Sequence, residues 1–211
     1  MTGPKSPLVL ASASPARLAT LRAAGIEPHV VVSGVDESQV VEPDPATFVT
    51  TLARLKAHAA QRLIAADPGK VGWDGWLLGC DSVLALDGDI WGKPRDAADA
   101  VARWKRMRGR SGVLHTGHCL LDLTLGTEVV RGVTTTVHFA DVDDEEIEAY
   151  VATGEPLQVA GAFTIDGLGG PLVVGIEGDH HNVVGLSLPV LREMFAELDV
   201  PWSYFWRNRP T

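Results

Sequence analysis

The sequence has few cysteines and no long hydrophobic run. Only Cys80 and Cys119 occur among 211 residues, and both lie inside apolar segments, where a small buried thiol is the common case. We therefore expect two free thiols and no disulfide framework. No apolar run approaches the roughly 20 residues that span a bilayer, and no basic segment followed by an apolar stretch opens the chain. These absences favour a cytoplasmic protein without a membrane partner.

Positive charge is also scarce. The chain carries 18 lysines and arginines against 27 aspartates and glutamates, which gives a net charge of -9. This balance offers no electrostatic footprint for duplex nucleic acid. The basic residues Arg103, Lys105, Arg106 and Arg108 are accordingly expected to form a solvated helix face. A polyanionic ligand would have to be met by a few local cations.

What is present is an ordinary globular composition. Apolar residues make up 45% of the chain and charged residues 21%, so the chain is expected to fold throughout. Its 211 residues suffice for one α/β domain with a substantial core, or for two lobes that share a cleft. We therefore expect residues 1–211 to form a single domain.

The segment from Leu77 to Pro94 is the strongest candidate for a functional site. A short apolar run predicts a buried strand that ends on Asp81, and a hairpin turn at Asp87 then returns the chain to Lys93. Because ligands of α/β sheets bind outside the carboxyl ends of strands, Asp81 is expected at such a site, with Lys93 facing it. A turn-capping aspartate and a loop lysine fit this segment alone equally well.

The chain begins with a predicted strand, a loop of small residues and a helix. The strand is Leu8–Leu10, and the helix is predicted to begin after its N-cap Ser14 and to stop at Gly25. Free N–H groups at the helix start, the hydroxyls of Ser12 and Ser14, and Arg17 one turn later can hold phosphate oxygens. A capped helix with an exposed arginine is the structural alternative.

Two acidic residues follow a second predicted strand, residues 30–33. Asp36 and Glu37 are either solvated turn residues or ligands for a hard cation such as Mg²⁺.

A long helix is predicted from Asp44-Pro45 to about Ala66. Its expected apolar face consists of Leu52, Leu55, Ala59 and Leu63. Lys56 lies at the edge of that face, where its ammonium group either points into a cleft or reaches out to water.

The second half of the chain contains a predicted antiparallel hairpin and a glycine-rich loop. Val113 to Leu125 and Glu128 to Phe139 predict the hairpin, and Leu172 to Ile176 predicts another strand before a last helix to about Leu198. The loop around Asp166 contains enough glycine to approach a ligand closely, although a tight structural turn is the alternative.

Seven histidines invite a metal hypothesis. His115 with His118, and the pair His180-His181, have no third ligand at a recognisable spacing. A zinc site is therefore not expected.

These motifs occur in the order of one known family. They are LASASPARL, VDES, the helix with Lys56, GCDSV, GKP, the TGH of residues 116–118, GAFTIDGLGG and NVVGLSLP. From about Leu8 to Leu191 the chain resembles the Maf family of nucleoside triphosphate pyrophosphatases.

The resemblance implies a fold and a reaction. The fold is α/β, a two-lobed mixed sheet flanked by helices with a central substrate cleft, as in Maf and inosine triphosphatase proteins, and often dimeric. The reaction hydrolyses a nucleoside triphosphate between its α and β phosphates to the monophosphate and pyrophosphate, with a divalent metal, Mg²⁺ or Mn²⁺.

The resemblance also assigns roles to residues of this sequence. Those matching the phosphate-binding positions are Ser12, Ser14, Arg17, Lys56 and Lys93. Asp81 matches the proposed general base, and Glu37 matches the acidic metal position. Glu37 with Asp81 would supply the carboxylates that Mg²⁺ takes alongside phosphate oxygens and water, so the roles of Asp81 as base and as metal ligand stay open.

Four positions depart from the members of the family that act on uridine and thymidine triphosphates. Ala16 replaces the first of two arginines, Val159 a lysine, Asp166 a glutamine and Ser82 a threonine. An acidic residue at position 166 resembles the subgroup that acts on a methylated guanosine triphosphate, since a carboxylate accepts hydrogen bonds from an amino-bearing base edge. The chain matches neither subgroup fully, so Ala16, Ser82 and Asp166 are candidate specificity residues.

Three functions are compatible with these motifs. The first is a metal-dependent pyrophosphatase for nucleoside triphosphates, including noncanonical or modified ones. The second is a nucleotide-binding regulator without turnover, because the family has been linked to inhibition of septum formation in cell division. The third, a phosphatase that releases orthophosphate, has no phosphoenzyme motif to support it. The retained set of a candidate base, an acidic residue and several cations favours the first.

Overall fold

The computed structural model describes residues 8–67 and 74–207, which form a mixed seven-stranded sheet with helices on both faces. Its strands are β1 (Leu8–Leu10), β2 (His29–Val30), β3 (Trp76–Leu86), β4 (Asp89–Trp91), β5 (Ser111–Asp122), β6 (Glu128–Phe139) and β7 (Val173–Glu177). Its α-helices are α1 (Pro15–Ala23), α2 (Pro45–Ala66), α3 (Ala97–Met107), α4 (Asp144–Ala152), α5 (His180–Val184), α6 (Leu188–Glu197) and α7 (Ser203–Arg207). The expected α/β class, with a mixed sheet flanked by helices, is confirmed.

The sheet joins a short parallel part to a long antiparallel part. Its strand order is β2-β1-β3-β5-β6-β7, and β4 pairs with the far end of β3. β1 is parallel to β2 and β3, whereas the remaining pairs are antiparallel. The predicted hairpin is β5 with β6, and the predicted turn at Asp87 connects β3 to β4.

The helix starts follow local capping signals. The Ser14 hydroxyl accepts a hydrogen bond from the Arg17 amide at 3.4 Å, and Asp44 accepts one from the Thr47 amide at 2.8 Å. Each cap satisfies an N–H group that has no partner within its helix. Gly25, with φ of 87°, follows the end of α1 in the left-handed region, as the sequence predicts.

Helix α2 covers one face of the sheet at very short range. A Cβ atom added at Gly79 or Gly117 would overlap backbone atoms of α2, so only glycine allows the helix to lie this close. The predicted apolar face is partly wrong, because Leu55 and Leu63 are 41% and 50% exposed. The close approach turns small residues inward instead, and the buried positions of α2 are Val49, Leu52, Ala53, Ala57, Ala59, Ala60 and Ile64.

The opposite face carries two apolar clusters at its two ends. One surrounds Phe195 and joins β1 and β3 to α1, α6 and α7. The other surrounds Trp104 and joins the far end of β3 to α3, α4 and β6. The long strands run beneath both clusters, which is how one sheet supports two helical groups.

Two sequence predictions of secondary structure need correction. The strand predicted at residues 30–33 is shorter, and covers only His29–Val30. Its neighbour β1 ends at Leu10, so the hydrogen bond from the Val31 amide to the Leu10 carbonyl is the last one that β1 can accept. Two short helices were also not predicted from the sequence: α5, which precedes α6, and α7, which follows it.

Candidate active site

The candidate site lies where the edge of β3 has no neighbouring strand. β1 pairs with β3 as far as Leu78, and β4 pairs with it only from Leu84 onward. Residues 79–83 therefore border a notch in the sheet edge. Asp81 lies in this interval, in the middle of β3 and not at its end as predicted, because the ladder with β5 continues to Ala85. The strand that ends at the notch is β1.

Arg17 fills one side of the notch with a buried guanidinium group. Its Nε donates to the Gly185 carbonyl at 2.8 Å, and its Nη1 donates to the Cys80 carbonyl at 3.0 Å and to the Ser12 hydroxyl at 3.1 Å. Its Nη2 donates to the Ser82 hydroxyl at 2.9 Å. The Cys80 carbonyl lacks a strand partner at this edge, so Arg17 supplies the hydrogen bond that the ladder would have given.

Arg17 has no ion-pair partner among the residues that the structure describes. Arg17 is 8% exposed, and no carboxylate within residues 8–67 and 74–207 forms an ion pair with it. A buried charge that lacks a counterion is costly, and a bound anion would relieve that cost. The exposed arginine of the structural alternative is therefore wrong, because Arg17 is buried.

The small-residue loop between β1 and α1 is ordered by its own serines. The Ser12 hydroxyl accepts from the Ser14 amide at 3.2 Å as well as from Arg17, while Ser14 caps α1. Ser12 therefore contacts the guanidinium group of Arg17, whereas Ser14 contacts the backbone amide of the same residue. Ala16 lies one residue away in the first turn of α1 and is partly exposed.

An ammonium group between two carboxylates lies at the same notch. Lys56 of α2 places its Nζ 2.5 Å from Asp81 Oδ1 and 2.6 Å from Glu37 Oε1. The side chains of Lys56 and Asp81 are 13% and 10% exposed, whereas Glu37 is 54% exposed. Lys56 therefore points into the notch, which settles the alternative left open by its position on the helix.

Asp36 and Glu37 have different contacts. Asp36 accepts hydrogen bonds from the amide and hydroxyl of Ser38 and from the Gln39 side chain, and these bonds lower its carboxyl pKa. They fix the 3-10 turn Glu37–Gln39. Glu37, at the start of that turn, is left to reach Lys56.

The environment of Asp81 shifts its protonation. Burial raises the pKa of the Asp81 carboxyl, and the positive charges of Lys56 and Arg17 oppose that shift without cancelling it. A carboxyl whose pKa lies above its usual value is a better proton acceptor once ionised, which is the property that a general base needs.

Lys93 and Asp166 are exposed at the ends of two loops. Lys93 follows β4, and no residue of the described ranges forms an ion pair with it. Asp166 lies in a loop held from beneath by Glu155, whose carboxylate accepts from the Thr164 hydroxyl at 2.6 Å and from the Leu168 and Gly169 amides. Burial opposes ionisation of Glu155, yet these hydrogen bonds leave its pKa below the usual value.

Ser82 supports Arg17 from the strand. Its hydroxyl lies 2.9 Å from both Arg17 Nη2 and the Thr116 hydroxyl, and Thr116 in turn donates to the Asn182 carbonyl. The fully buried Asn182 donates to the Thr135 hydroxyl at 3.1 Å. This chain of bonds fixes Ser82 and the guanidinium group together.

Sequence reasoning missed the residues that hold the site in place. Thr116, Asn182 and Gly185 support Arg17 and Ser82, and Glu155 supports the loop of Asp166. Thr116 and Gly185 lie in the TGH and NVVGLSLP motifs, but those motifs alone gave no role to either residue. Glu155 gave no signal of its own in the sequence, since its partners are loop amides and the Thr164 hydroxyl.

The histidines of the two candidate metal pairs have different surroundings. His118 is fully buried, accepts from the Ser187 amide at 2.9 Å, and has a pKa lowered to about 4 by burial and by the charge of Arg17. His180 and His181 gain Asp179 as a neighbour, and ligand atoms of the three lie within 4.8 Å of one another. Asp179 is engaged as the helix cap, since it accepts from the His181 amide.

The fold and these contacts define a class: an α/β protein whose mixed sheet has one notch that holds a buried arginine, with no ion-pair partner among the described residues, and a carboxylate pair. Residues 7–198 match the family described as Maf-like protein. The chain belongs to the Maf family, and the family prediction is confirmed.

Several relatives cover nearly the whole chain. A protein of Salinispora tropica is 61% identical over 200 residues, covering 94% of this chain and 87% of the relative. Proteins of Streptomyces coelicolor and Nocardia farcinica are 53% and 52% identical, covering 96% of this chain in each case and 96% and 98% of the relatives. All three carry the name nucleoside triphosphate pyrophosphatase.

A solved structure shows a more distant similarity. The Staphylococcus aureus Ham1 protein matches at a TM-score of 0.38 and 15% identity, over 64% of this chain and 72% of that chain. This similarity is too distant to carry an argument. None of the helices within residues 8–67 and 74–207 has the length and apolar character needed to cross a membrane.

Proposed function

We propose that this chain is a metal-dependent nucleoside triphosphate pyrophosphatase. The observation that carries the proposal is the meeting of Asp81, Lys56 and Glu37 at the notch that also holds the buried charge of Arg17. The names of the relatives agree with the reaction. The candidate base and the anion-attracting charge belong to one site, as hydrolysis of a phosphate anhydride requires.

Asp81 is the proposed general base. A water oxygen forms a bond to the α phosphorus, and the bond from that phosphorus to the bridging oxygen breaks, so that pyrophosphate leaves with the electron pair. Asp81 takes the proton of the attacking water. Its raised pKa and its buried position suit this role.

The cations are proposed to bind the phosphate chain. Arg17 and Lys56 border the notch, Lys93 is exposed in the loop that follows β4, and Ser12 and Ser14 lie in the loop before α1. Negative charge grows on the leaving pyrophosphate during the reaction. Fixed positive groups therefore stabilise the transition state more than the bound substrate.

The donor set fits a divalent metal, Mg²⁺ or Mn²⁺. Oxygens of Glu37 and Asp81 both lie within 2.6 Å of the Lys56 nitrogen, so the two carboxylates are close enough together for both to contact one cation, which is the Lys56 ammonium group in this structure. Two carboxylates with phosphate oxygens and water make the ligand set that Mg²⁺ prefers. When bound there, the ion would neutralise phosphate charge and polarise the reacting phosphoryl group.

Base selection is proposed to rest on Ala16, Ser82 and Asp166. Asp166 is exposed on its loop and can accept a hydrogen bond from an amino group of the base. Ala16 leaves open the space that a larger side chain would fill at the start of α1. The likeness of Asp166 to the acidic position of the subgroup that acts on a methylated guanosine triphosphate supports noncanonical or modified nucleotides as the proposed substrates.

The remaining expectations also stay proposals. They are a single domain over residues 1–211, a homodimer and a cytoplasmic location.

The reaction can be tested with a panel of canonical, methylated and deaminated nucleoside triphosphates in Mg²⁺ and in Mn²⁺. Pyrophosphate and orthophosphate are assayed separately. We expect pyrophosphate from at least one substrate, and the best substrate identifies the base that the site selects. Orthophosphate as the first product would instead indicate a phosphatase. Binding without any product would favour the nucleotide-binding regulator.

Asp81→Asn tests the role of the base. We expect kcat to fall by about 10²–10⁴-fold, with nucleotide affinity largely retained. Asp89→Asn is the matched control, because Asp89 begins β4 and forms an ion pair with Arg106 on the surface. Equal activity of the two variants would remove Asp81 from the mechanism.

A further inference from the structure

The loop that carries Lys93 is fastened to helix α3 on both sides of the lysine. On the preceding side, the Gly92 carbonyl accepts a hydrogen bond of 2.7 Å from Arg103 Nη1. On the following side, the Arg95 amide donates a hydrogen bond of 2.9 Å to Asp99 Oδ2. Lys93 itself takes part in neither bond.

One ion pair joins the two fastenings. Arg103 Nη2 lies 2.8 Å from Asp99 Oδ2, the same oxygen that accepts from the Arg95 amide. The side chains of Arg103 and Asp99 are only 13% and 15% exposed. The hydrogen bond from the Arg95 amide and the neighbouring Arg103 charge keep the pKa of Asp99 low despite its partial burial. We refer to Asp99 and Arg103 together as the α3 clamp.

We propose that the α3 clamp positions Lys93 for binding the polyphosphate group of the substrate. This inference rests on the proposed function of Lys93 at the same site. Arg103 and Asp99 are positioning residues, because they touch the loop backbone and act through the lysine between their two contacts.

The clamp contradicts the solvated helix face that the sequence predicted for Arg103. Lys105, Arg106 and Arg108 do pair with exposed acidic residues on the surface. Arg103 turns inward instead, where its guanidinium carbon lies 5.7 Å from the centre of the Trp91 ring. The sequence could not distinguish it, since its partners are a carbonyl and a carboxylate placed by the loop.

The ion pair of Arg103 favours Lys93, and not Arg103, as the residue that binds the polyphosphate group. Asp99 neutralises Arg103 within the clamp, and this removes a positive charge that would otherwise repel the lysine ammonium group. Lys93 is exposed, and no acidic residue of the described ranges pairs with it. Its charge is therefore available to an anion, whereas the charge of Arg103 is already paired.

The register of the sheet carries Lys93 toward the notch. β4 is antiparallel to β3, with Trp91 opposite Leu84. The residues after Trp91 therefore return along β3 in the direction of Asp81.

Helix α3 also fastens the second loop of the site. The Gly161 amide donates to the Gly92 carbonyl at 3.1 Å, so that carbonyl holds both loops. Trp104, next to Arg103, donates from Nε1 to the Ala162 carbonyl at 2.7 Å. The clamp is thus part of a rigid support, and loosening it would release a lysine that binding must then order at an entropic cost.

The test compares Arg103→Met with Arg106→Met. Both arginines lie on α3 above the Trp91 ring, at 5.7 and 4.7 Å, but Arg106 pairs with Asp89 and does not bond the Lys93 loop. Binding of inorganic tripolyphosphate is measured by calorimetry, and kcat/KM is measured with the best nucleotide. We expect Arg103→Met to weaken tripolyphosphate binding roughly tenfold, about 1.4 kcal/mol, and Arg106→Met to leave it unchanged.

A double-mutant cycle with Lys93→Ala shows whether the clamp acts through the lysine. We expect Arg103→Met to have no further effect on tripolyphosphate binding when Lys93 is already alanine. The proposal would be overturned if the losses of tripolyphosphate affinity caused by Arg103→Met and Lys93→Ala multiplied in the double variant. It would also be overturned if Arg103→Met and Arg106→Met changed that affinity equally. If Arg103→Met fails to fold, Asp99→Asn repeats the cycle with the arginine in place.

Failure of the clamp and failure of the proposed function give different results. Pyrophosphate release by the wild type together with an unaffected Arg103→Met would reject the clamp and leave the function intact. Tripolyphosphate binding with the expected cycle but no turnover of any nucleotide would reject the function and leave the clamp intact. Absence of tripolyphosphate binding by the wild type would overturn the clamp.

Discussion

The buried carboxyl of Asp81 links catalysis to stability at the scale of one residue. Burial raises its pKa above that of an unfolded aspartate, so ionisation is harder in the folded protein than in the unfolded chain. The resulting contribution to stability is fully present below the unfolded pKa, near 3.9, and is lost as the pH rises through the raised folded pKa.

Asp81→Asn should therefore gain stability relative to the wild type as the pH rises. The amide cannot ionise, so the variant avoids the cost of the buried charge while it loses activity. Thermal unfolding of both proteins from acidic to neutral pH measures the difference. A difference in Tm that is constant with pH, or that favours the wild type at neutral pH, would contradict this account.

We expect anions that bind near Arg17 to raise the stability of the folded protein. Because its buried charge has no carboxylate partner within the described residues, bound pyrophosphate should stabilise the folded state. At a pyrophosphate concentration of 100 Kd the gain is about 2.7 kcal/mol. We expect the rise in Tm to disappear in Arg17→Met and to persist in Arg22→Met, whose arginine pairs with Glu27 on the surface.

Arg17 also marks a limit of sequence reasoning at this scale. The capping of α1 is local, so Ser14 and the helix start could be predicted from neighbouring residues. The bond from Arg17 to the Gly185 carbonyl joins positions 168 apart, and only the packed fold brings them together. The sequence therefore indicated the loop but left open whether its arginine was buried or exposed.

At the scale of elements, the contact between α2 and the sheet holds Lys56 over Asp81. Gly79 and Gly117 allow this contact, since a Cβ at either position would overlap the backbone of α2. Gly117→Ala must push the helix away from β5 and carry Lys56 with it. We expect a loss of unfolding free energy of about 1–3 kcal/mol, together with lower activity.

Gly132→Ala is the matched control for this change. Gly132 pairs with Gly117 across β5 and β6, but its added Cβ would meet only Thr50 Cγ2 at 3.5 Å, an ordinary contact. Alanine there should be neutral or slightly stabilising, because glycine is unfavourable inside a strand. Similar losses in the two variants, measured by chemical denaturation and turnover, would show that the short distance to α2 does not matter.

The elements also explain why the strand carrying Asp81 was predicted too short. An apolar run interrupted by a carboxylate resembles a strand end, since a buried charge inside a sheet is rare. Lys56 compensates the charge from another element, and the strand continues to Leu86, paired with β5 as far as Ala85 and with β4 from Leu84. Helix α2 was easier to predict, because the Asp44-Pro45 start and its length are local properties.

At the scale of the whole molecule, three long strands pass beneath both apolar clusters. β3, β5 and β6 contain 11, 12 and 12 residues and connect the cluster around Phe195 to the cluster around Trp104. Each cluster is packed on the same three strands, so disorder that spreads along a strand from one cluster reaches the residues that support the other. The two helical groups are therefore expected to unfold together.

Trp104→Ala tests this cooperativity. Trp104 is fully buried against Phe139 and Tyr150, so its truncation should cost about 3–5 kcal/mol. Amide hydrogen exchange then reports on Leu78 and Leu84, which lie toward opposite ends of β3 beneath the two clusters. If the strands couple the clusters, the free energy of opening falls by the same amount at both amides. If Leu78 kept its wild-type protection while Leu84 lost it, the two groups would be separate folding units joined by a shared sheet.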